Sequence, residues 1–292
     1  MITLAHNRYG KSRVRLVKVT RHPGRDDFAG HHDLHEWTVE ILLEGDFLTA
    51  HTVGDNSLIL PTDTMKNTVY SLARDSAATS IESFAIELSD YLLARNPQVS
   101  TTHIHIESTL WKRLTISGGP HATSFMRGSD ERQTTVLRHQ RGASRTITSG
   151  LHDLVIMKTA NSGFEHYIQD SLTTLKETPD RLFATALTAD WAYTESIAQS
   201  AESDFHTPRH HIRESMLHTF ADHQSLSVQH TLYAMGEDAL NTTPSITQIH
   251  LLMPNKHCNL IDLTRFNQDN PNQIFVPTDE PHGTIEATIH RA

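Results

Sequence analysis

The stretch Trp37-Thr38-Val39-Glu40-Ile41-Leu42-Leu43-Glu44-Gly45-Asp46 decides how the chain is read. Trp37, Val39, Ile41 and Leu43 recur at every second position, with Thr38, Glu40 and Leu42 between them. Successive side chains of a strand point to opposite faces, so this period offers one apolar face to a core. Gly45-Asp46 then reads as a turn into Phe47-Leu48-Thr49-Ala50, which makes an antiparallel hairpin. Upstream, Arg13-Val14-Arg15-Leu16-Val17-Lys18-Val19 alternates in part and suits another strand.

Beyond Pro61 the period lengthens. Asp63 is positioned to cap a helix from Thr64 to Arg74, with Val69 and Leu72 on one side. Thr79 and Glu82 have capping-box spacing for a second helix, whose apolar positions are Ile81, Phe84, Leu88 and Tyr91. Strand period returns where Thr102, Ile104 and Ile106 alternate with His103, His105 and Glu107. The second half repeats this order. Strands are expected at Leu154–Met157 and Phe183–Leu187, a helical region at His210–Leu240, and an extended run from Ile246 to Met253. A short echo accompanies the repetition: Thr64-Met65-Lys66-Asn67-Thr68 against Thr174-Leu175-Lys176-Glu177-Thr178. The expected class is α+β, with two tandem halves at residues 1–145 and 146–292, each an antiparallel sheet covered by helices on one face. The uncovered faces and edges must be hidden, so an oligomer that closes several sheets into a barrel is expected.

Composition narrows the partners. The 292 residues carry a formal net charge of -9, which disfavours nucleic acid because phosphate binding needs a basic surface. With 37% hydrophobic residues and no apolar run near the ~20 residues a span requires, no membrane is expected. The N-terminal Met1-Ile2-Thr3-Leu4-Ala5-His6 has no signal-peptide character, and His290-Arg291-Ala292 is no peroxisomal address. A single cysteine, Cys258, forms no internal disulfide, so the cytoplasm is the expected compartment. Histidine is abundant at 22 copies, clustered at His31-His32-Asp33-Leu34-His35 and His103-Ile104-His105. Neither cluster has a second cysteine or a His pair at finger-like spacing, so solvated or locally paired histidines are expected and no metal.

Six strings, in order along nearly the whole chain, resemble the uricases (urate oxidases). They are Tyr9-Gly10-Lys11, the run from Gly54 through Pro61-Thr62-Asp63 to Thr68, Asn161-Ser162-Gly163-Phe164, Thr173 through Glu177-Thr178-Pro179-Asp180-Arg181, Ser227-Val228-Gln229, and Pro254-Asn255-Lys256-His257. The resemblance implies a tunnelling fold and a homotetramer with active sites between subunits. It implies that urate and O2 are converted without cofactor or metal to 5-hydroxyisourate and hydrogen peroxide. Other tunnelling-fold enzymes of purines or pterins, some with a histidine-built zinc site, stand as an alternative, as does a purine-binding scaffold without catalysis.

The same resemblance implies roles. Phe164 stacks on the purine. Arg181 grips one edge with its rigid fork, and Gln229 with the Val228 backbone N–H grips the other. Thr62 and Asn255 hold oxygen or water over the ring, and Asp63 meets the purine edge through its backbone. Lys11, Thr62 and His257 form a proton relay, since a lysine withdrawn from water can act as a base and an imidazole can pass protons on. Taken singly, each has a plainer reading: a core ring, a surface ion pair, a helix-entry or turn residue. Pro179 stands where the family carries an aromatic or polar residue, and its fixed φ and missing N–H are expected to shift Arg181 slightly.

Overall fold

The computed structural model describes residues 2–23 and 30–291. Met1, residues 24–29 and Ala292 lie outside the described residues, including the end positions read above for terminal signals. In chain order the elements are β1 (Tyr9–Arg21), β2 (His32–Gly45), α1 (Leu48–Thr52), α2 (Thr62–Asp75), α3 (Ile81–Arg95), β3 (Val99–Ile116), β4 (Gly119–Gln140) and β5 (Thr146–Lys158). Then come β6 (Phe183–Tyr193), α4 (Glu195–Ala198), α5 (His206–Asp222), α6 (Val228–Thr242), β7 (Ile246–Leu260) and β8 (Phe275–His290). They group into two compact units, Met1–Gly150 with Ala192–Thr207, and Leu151–Trp191 with Pro208–Ala292.

In the first unit, β1 to β4 pair antiparallel in chain order. The alternation that opened the sequence reading is the reason. Val39 faces Ile106 and Ile41 faces Ile104 across the β2–β3 ladder, Ile104 faces Leu137 across β3–β4, and all five are fully buried. Trp37 reaches over this face to stack on Phe84 of α3 at 5.1 Å. Burying each such side chain stabilises by about 1.5–3 kcal/mol, which holds α3 against the sheet. Gly10 lets β1 approach β2: a Cβ there would lie 1.7 Å from the Ile41 carbonyl oxygen. The β3–β4 hairpin turns at Ser117 and Gly118, both with positive φ (54° and 82°), as a two-residue hairpin of the primed type requires.

In the second unit, β7 and β8 pair antiparallel and α6 packs on both. The chain repeats itself here in detail. Helices α3 and α6 each have 15 residues. Each starts after a serine whose hydroxyl accepts a backbone N–H, Ser80 from Ser83 at 3.0 Å and Ser227 from His230 at 3.1 Å. Each ends at a residue of the same conformation, Asn96 (φ -125°, ψ 83°) and Thr243 (φ -127°, ψ 83°). One arginine then closes each C-terminus. Arg141 donates to the carbonyls of Leu93, Asn96 and Val99, and Arg291 to those of Leu240, Thr243 and Ile246. Carbonyls left over at a helix end accept strongly from a cation, and each charged bond contributes about 1.5–3 kcal/mol.

Several expectations change. Phe47-Leu48-Thr49-Ala50 does not return as a strand: Leu48–Thr52 is α1, and β2 finds its partners in β1 and β3. Asp63 does not cap α2. Pro61 occupies that position, whose fixed φ suits a helix entry, and Asp63 is in the first turn, accepting from Lys66 and, at 3.0 Å, from Asn67. The cap of α3 is Ser80 rather than Thr79, while Glu82 is buried and accepts from Ser149 at 2.6 Å. The helical region from His210 to Leu240 is two helices, because Ser225 and Ser227 spend their hydroxyls on a turn and a new cap. The five-residue echo joins unlike structure, since its first copy is in α2 and its second is in a loop. Among the described residues no helix is long and apolar enough to cross a membrane.

Candidate active site

The second unit laces three backbone segments side by side. Phe164 and Thr178 exchange both backbone hydrogen bonds, and the Arg181 N–H donates to the Ser162 carbonyl at 2.7 Å. On the other side, the Gly163 N–H donates to the Ser225 carbonyl at 2.8 Å and the Ser225 N–H to the Asn161 carbonyl at 2.9 Å. Gly163 is required between them, because a Cβ there would meet the Pro179 carbonyl oxygen at 2.7 Å. Pro179 is harmless in this ladder: bonds run from Thr178 and Arg181 on either side of it, so its missing N–H removes none of them. The expected shift of Arg181 therefore has no cause in the backbone pairing.

This lacing delivers side chains to one cavity of about 710 Å³. Its lining includes Phe164, Arg181, Val228, Gln229, Asn255 and His257. The Arg181 guanidinium carbon lies 5.2 Å from the centre of the Phe164 ring, and Tyr167 stacks on that ring at 4.8 Å and 12°. Burial pulls the Arg181 pKa below its ordinary value, with Tyr167 opposing, and a guanidinium so placed remains a cation near neutral pH. Val228 and Gln229 are the first two residues of α6, where N–H groups have no helical acceptor and the helix dipole favours an anion. Asn255 and His257 are two apart on β7, and the β7–β8 register breaks between them: Asn255 faces Gly283 whereas His257 faces Thr278. Such irregularities re-aim side chains at the rim of a sheet.

Lys11, Thr62 and Asp63 belong to the first unit and form their own group. The hydroxyl of Tyr9 accepts from the Leu60 N–H at 2.8 Å and donates to the Leu60 carbonyl at 3.1 Å, tying β1 to the segment that enters α2. Lys11 sits at the β1–β2 register break, and Thr62 and Asp63 open α2. The Asp63 carboxyl is held below its ordinary range, first by its hydrogen bond from Lys66 and also by the charge of Lys11. Lys11 and the α2 N-terminus are thus neighbours within the first unit.

Among the described residues, His22, His31 and Asp33 bring three possible metal-ligand atoms within 4.8 Å of one another. Two of them are already engaged: His22 Nε2 is 2.7 Å from Asp33 Oδ2, and Arg113 donates to Asp33 Oδ1 at 3.2 Å. His103 is paired with Glu44 at 2.5 Å. These are local hydrogen bonds between imidazoles and carboxylates.

Several cavity and lacing residues were not singled out from sequence. Asp180, which lines the cavity, accepts the Ser162 N–H at 3.0 Å; it was visible only as part of a string ending in Arg181. Ser225 and Lys158 carry no local signal, because their partners lie far along the chain. Asn272 and Phe275 also line the cavity.

A family model described as Uricase matches residues 7–138 and 147–286. The uricase of Arthrobacter globiformis is 39% identical over 290 residues, which cover 99% of this chain and 90% of that protein. The uricase of Dictyostelium discoideum is 38% identical over 294 residues, covering 100% and 99%. The crystal structure of the Arthrobacter globiformis uricase superposes with a TM-score of 0.89 at 38% identity, covering 100% of this chain and 96% of that one.

Proposed function

The chain belongs to the uricase family and oxidises urate with O2, and from that premise we propose how its residues divide the work. Its α+β fold is the family's tunnelling fold. The observation that carries the assignment of roles is the single cavity shared by Phe164, Arg181, Val228, Gln229, Asn255 and His257. Urate is a flat anion with acceptors and donors along both edges. The Phe164 ring offers it a face, Arg181 a charged fork, and the amide of Gln229 with the Val228 N–H the second edge. Asn255 projects from β7 to hold O2 or water over the ring, and His257 takes the proton-relay position beside it.

Lys11, Thr62 and Asp63 complete each site across a subunit interface of a homotetramer. In support, these three belong to the first unit, Lys11 on the strand that Tyr9 ties to the segment entering α2 and Thr62 and Asp63 at the start of that helix. The halves 1–145 and 146–292 are then the tandem units whose sheets close into the barrel, a reading supported by the matched caps of α3 and α6. The compartment proposed is the cytoplasm, where a chain with one cysteine needs no disulfide.

In the reaction proposed, the relay of Lys11, Thr62 and His257 withdraws a proton to leave an electron-rich urate dianion. That dianion is itself the reductant of O2, so the chemistry calls for no cofactor. A hydroperoxide forms on the ring and, with water, resolves into 5-hydroxyisourate and hydrogen peroxide. The protein contributes orientation and charge stabilisation. The test is O2 uptake by chelator-treated protein on adding urate, with peroxide released one for one. Uptake only after metal is restored would point instead to a metal-dependent purine or pterin enzyme. Urate binding without peroxide would leave a scaffold.

A further inference from the structure

Lys158 ends β5 as a buried cation, 9% exposed, and it is not among the residues lining the cavity. Its ammonium donates to two carbonyls at the end of α5, Phe220 at 3.2 Å and His223 at 2.5 Å, and lies 5.8 Å from the Phe220 ring centre. A lysine withdrawn from water at this depth costs several kcal/mol unless its charge is answered. The carboxylates of Asp180 and Asp222 supply the answering charge, and both oppose the lowering of its pKa by burial.

Each contact leads to one edge of the cavity. The His223 carbonyl is two residues before Ser225, whose carbonyl accepts from Gly163 and whose hydroxyl donates to the Ser227 carbonyl. Ser227 caps α6 and so sets where Val228 and Gln229 stand. On the other side, Asp180 accepts the Ser162 N–H, and Ser162 in turn accepts the Arg181 N–H. The segment held by the ammonium is therefore hydrogen-bonded on to both edges: through Ser225 to the cap of α6, and through Ser225 to Asn161 and Gly163, which flank the Ser162 carbonyl that accepts from Arg181.

We propose that Lys158 is a positioning residue for substrate binding, whose buried ammonium, by holding the Phe220 and His223 carbonyls, locks the Arg181 edge and the Val228–Gln229 edge at the spacing of one purine. The inference rests on the reading of Arg181 and Gln229 as the two grips. Lysine suits the position because its ammonium can donate in three directions, whereas a neutral side chain of equal length leaves the carbonyls of Phe220 and His223 without a donor.

The deciding experiment measures urate dissociation constants in oxygen-free buffer, and kcat and KM in air, for the full-length oligomer and its variants. Lys158→Met is expected to weaken urate binding and raise KM at least tenfold with a smaller change in kcat. Lys158→Arg, which keeps the cation, should recover most of the affinity. Unchanged urate affinity in folded Lys158→Met, or no recovery in Lys158→Arg, would overturn the proposal. If Lys158→Met does not fold, Lys158→Gln decides, since its amide keeps a donor but loses the charge and the reach to both carbonyls. A severalfold rise in KM supports the proposal and an unchanged KM sinks it. Arg181→Ala measured alongside separates the two levels: wild-type affinity there refutes the grips themselves, whereas lost affinity there with a normal Lys158→Met refutes only the role of Lys158.

Discussion

Phe164 and Thr178 exchange both of their backbone hydrogen bonds, at 2.8 and 3.2 Å, although 13 other residues separate them along the chain. The pairing sets the aromatic ring and Arg181 on the same wall of the cavity, with the guanidinium carbon 5.2 Å from the ring centre. Stacking and edge recognition are therefore coupled in one small ladder rather than carried by independent loops.

Arg181→Ala should abolish measurable urate binding. The loss is that of two charge-assisted hydrogen bonds in a half-buried position, about 1.5–3 kcal/mol each and therefore on the order of a hundredfold or more in affinity. Equilibrium titration with urate in oxygen-free buffer measures it, and wild-type affinity would refute the grip.

Asn255→Ala should separate binding from turnover. The residue is assigned to the oxygen side, so urate should bind nearly as before while kcat falls on the order of a hundredfold, the usual cost of one well-placed polar group at a reacting centre. Turnover that survives the change would move the oxygen site elsewhere.

The matched caps supply an internal control. Ser80→Ala and Ser227→Ala each remove a serine cap, and each should cost about 1 kcal/mol of stability. Only Ser227→Ala should also raise KM, because α6 presents Val228 and Gln229 whereas α3 presents Ile81 and Glu82 to its own core. Denaturant unfolding and steady-state kinetics on the pair check this, and an equal effect on KM would break the assignment of α6.

Mild acid should destabilise the protein through its buried histidines. Burial lowers the pKa values of His35, His139 and His223 from the ordinary 6.5. Such a group binds fewer protons folded than unfolded, so its contribution is complete above about 6.5 and is lost as pH falls below that value. His139 packs against Ser89 at 3.1 Å with Asp90 and Arg145 nearby. Denaturant unfolding from pH 7.5 down to 5 should show stability falling, with a shallower fall in His139→Gln; identical slopes would exclude His139 as a contributor.

Much of the fold was legible because it rests on short-range periodicity. Val39, Ile41, Ile104 and Ile106 face a core as their alternation implies, and β7 begins at Ile246 as expected. Errors fell where neighbours along the chain mislead. Phe47 looked like the start of a returning strand, yet its ring serves the core from a helix entry, edge-on to Tyr9 at 4.8 Å. The polar strand β4 has no strong period of its own, and its order comes from pairing with β3.

The same division holds for the candidate site. Strand period and the strings carrying Phe164, Arg181, Val228, Gln229, Asn255 and His257 are properties of a few adjacent residues, and the sequence alone determined them. Tertiary structure decided that these six share one cavity while Lys11, Thr62 and Asp63 form another group, and that Pro179 is tolerated. It also decided that Lys158 donates to the carbonyls of Phe220 and His223, two residues before Ser225. The physical reason is that backbone hydrogen bonds such as Gly163 to Ser225 join residues far apart in the chain. Any donor N–H can serve any carbonyl, so such pairings leave no mark in residue type and appear only once the chain has closed on itself.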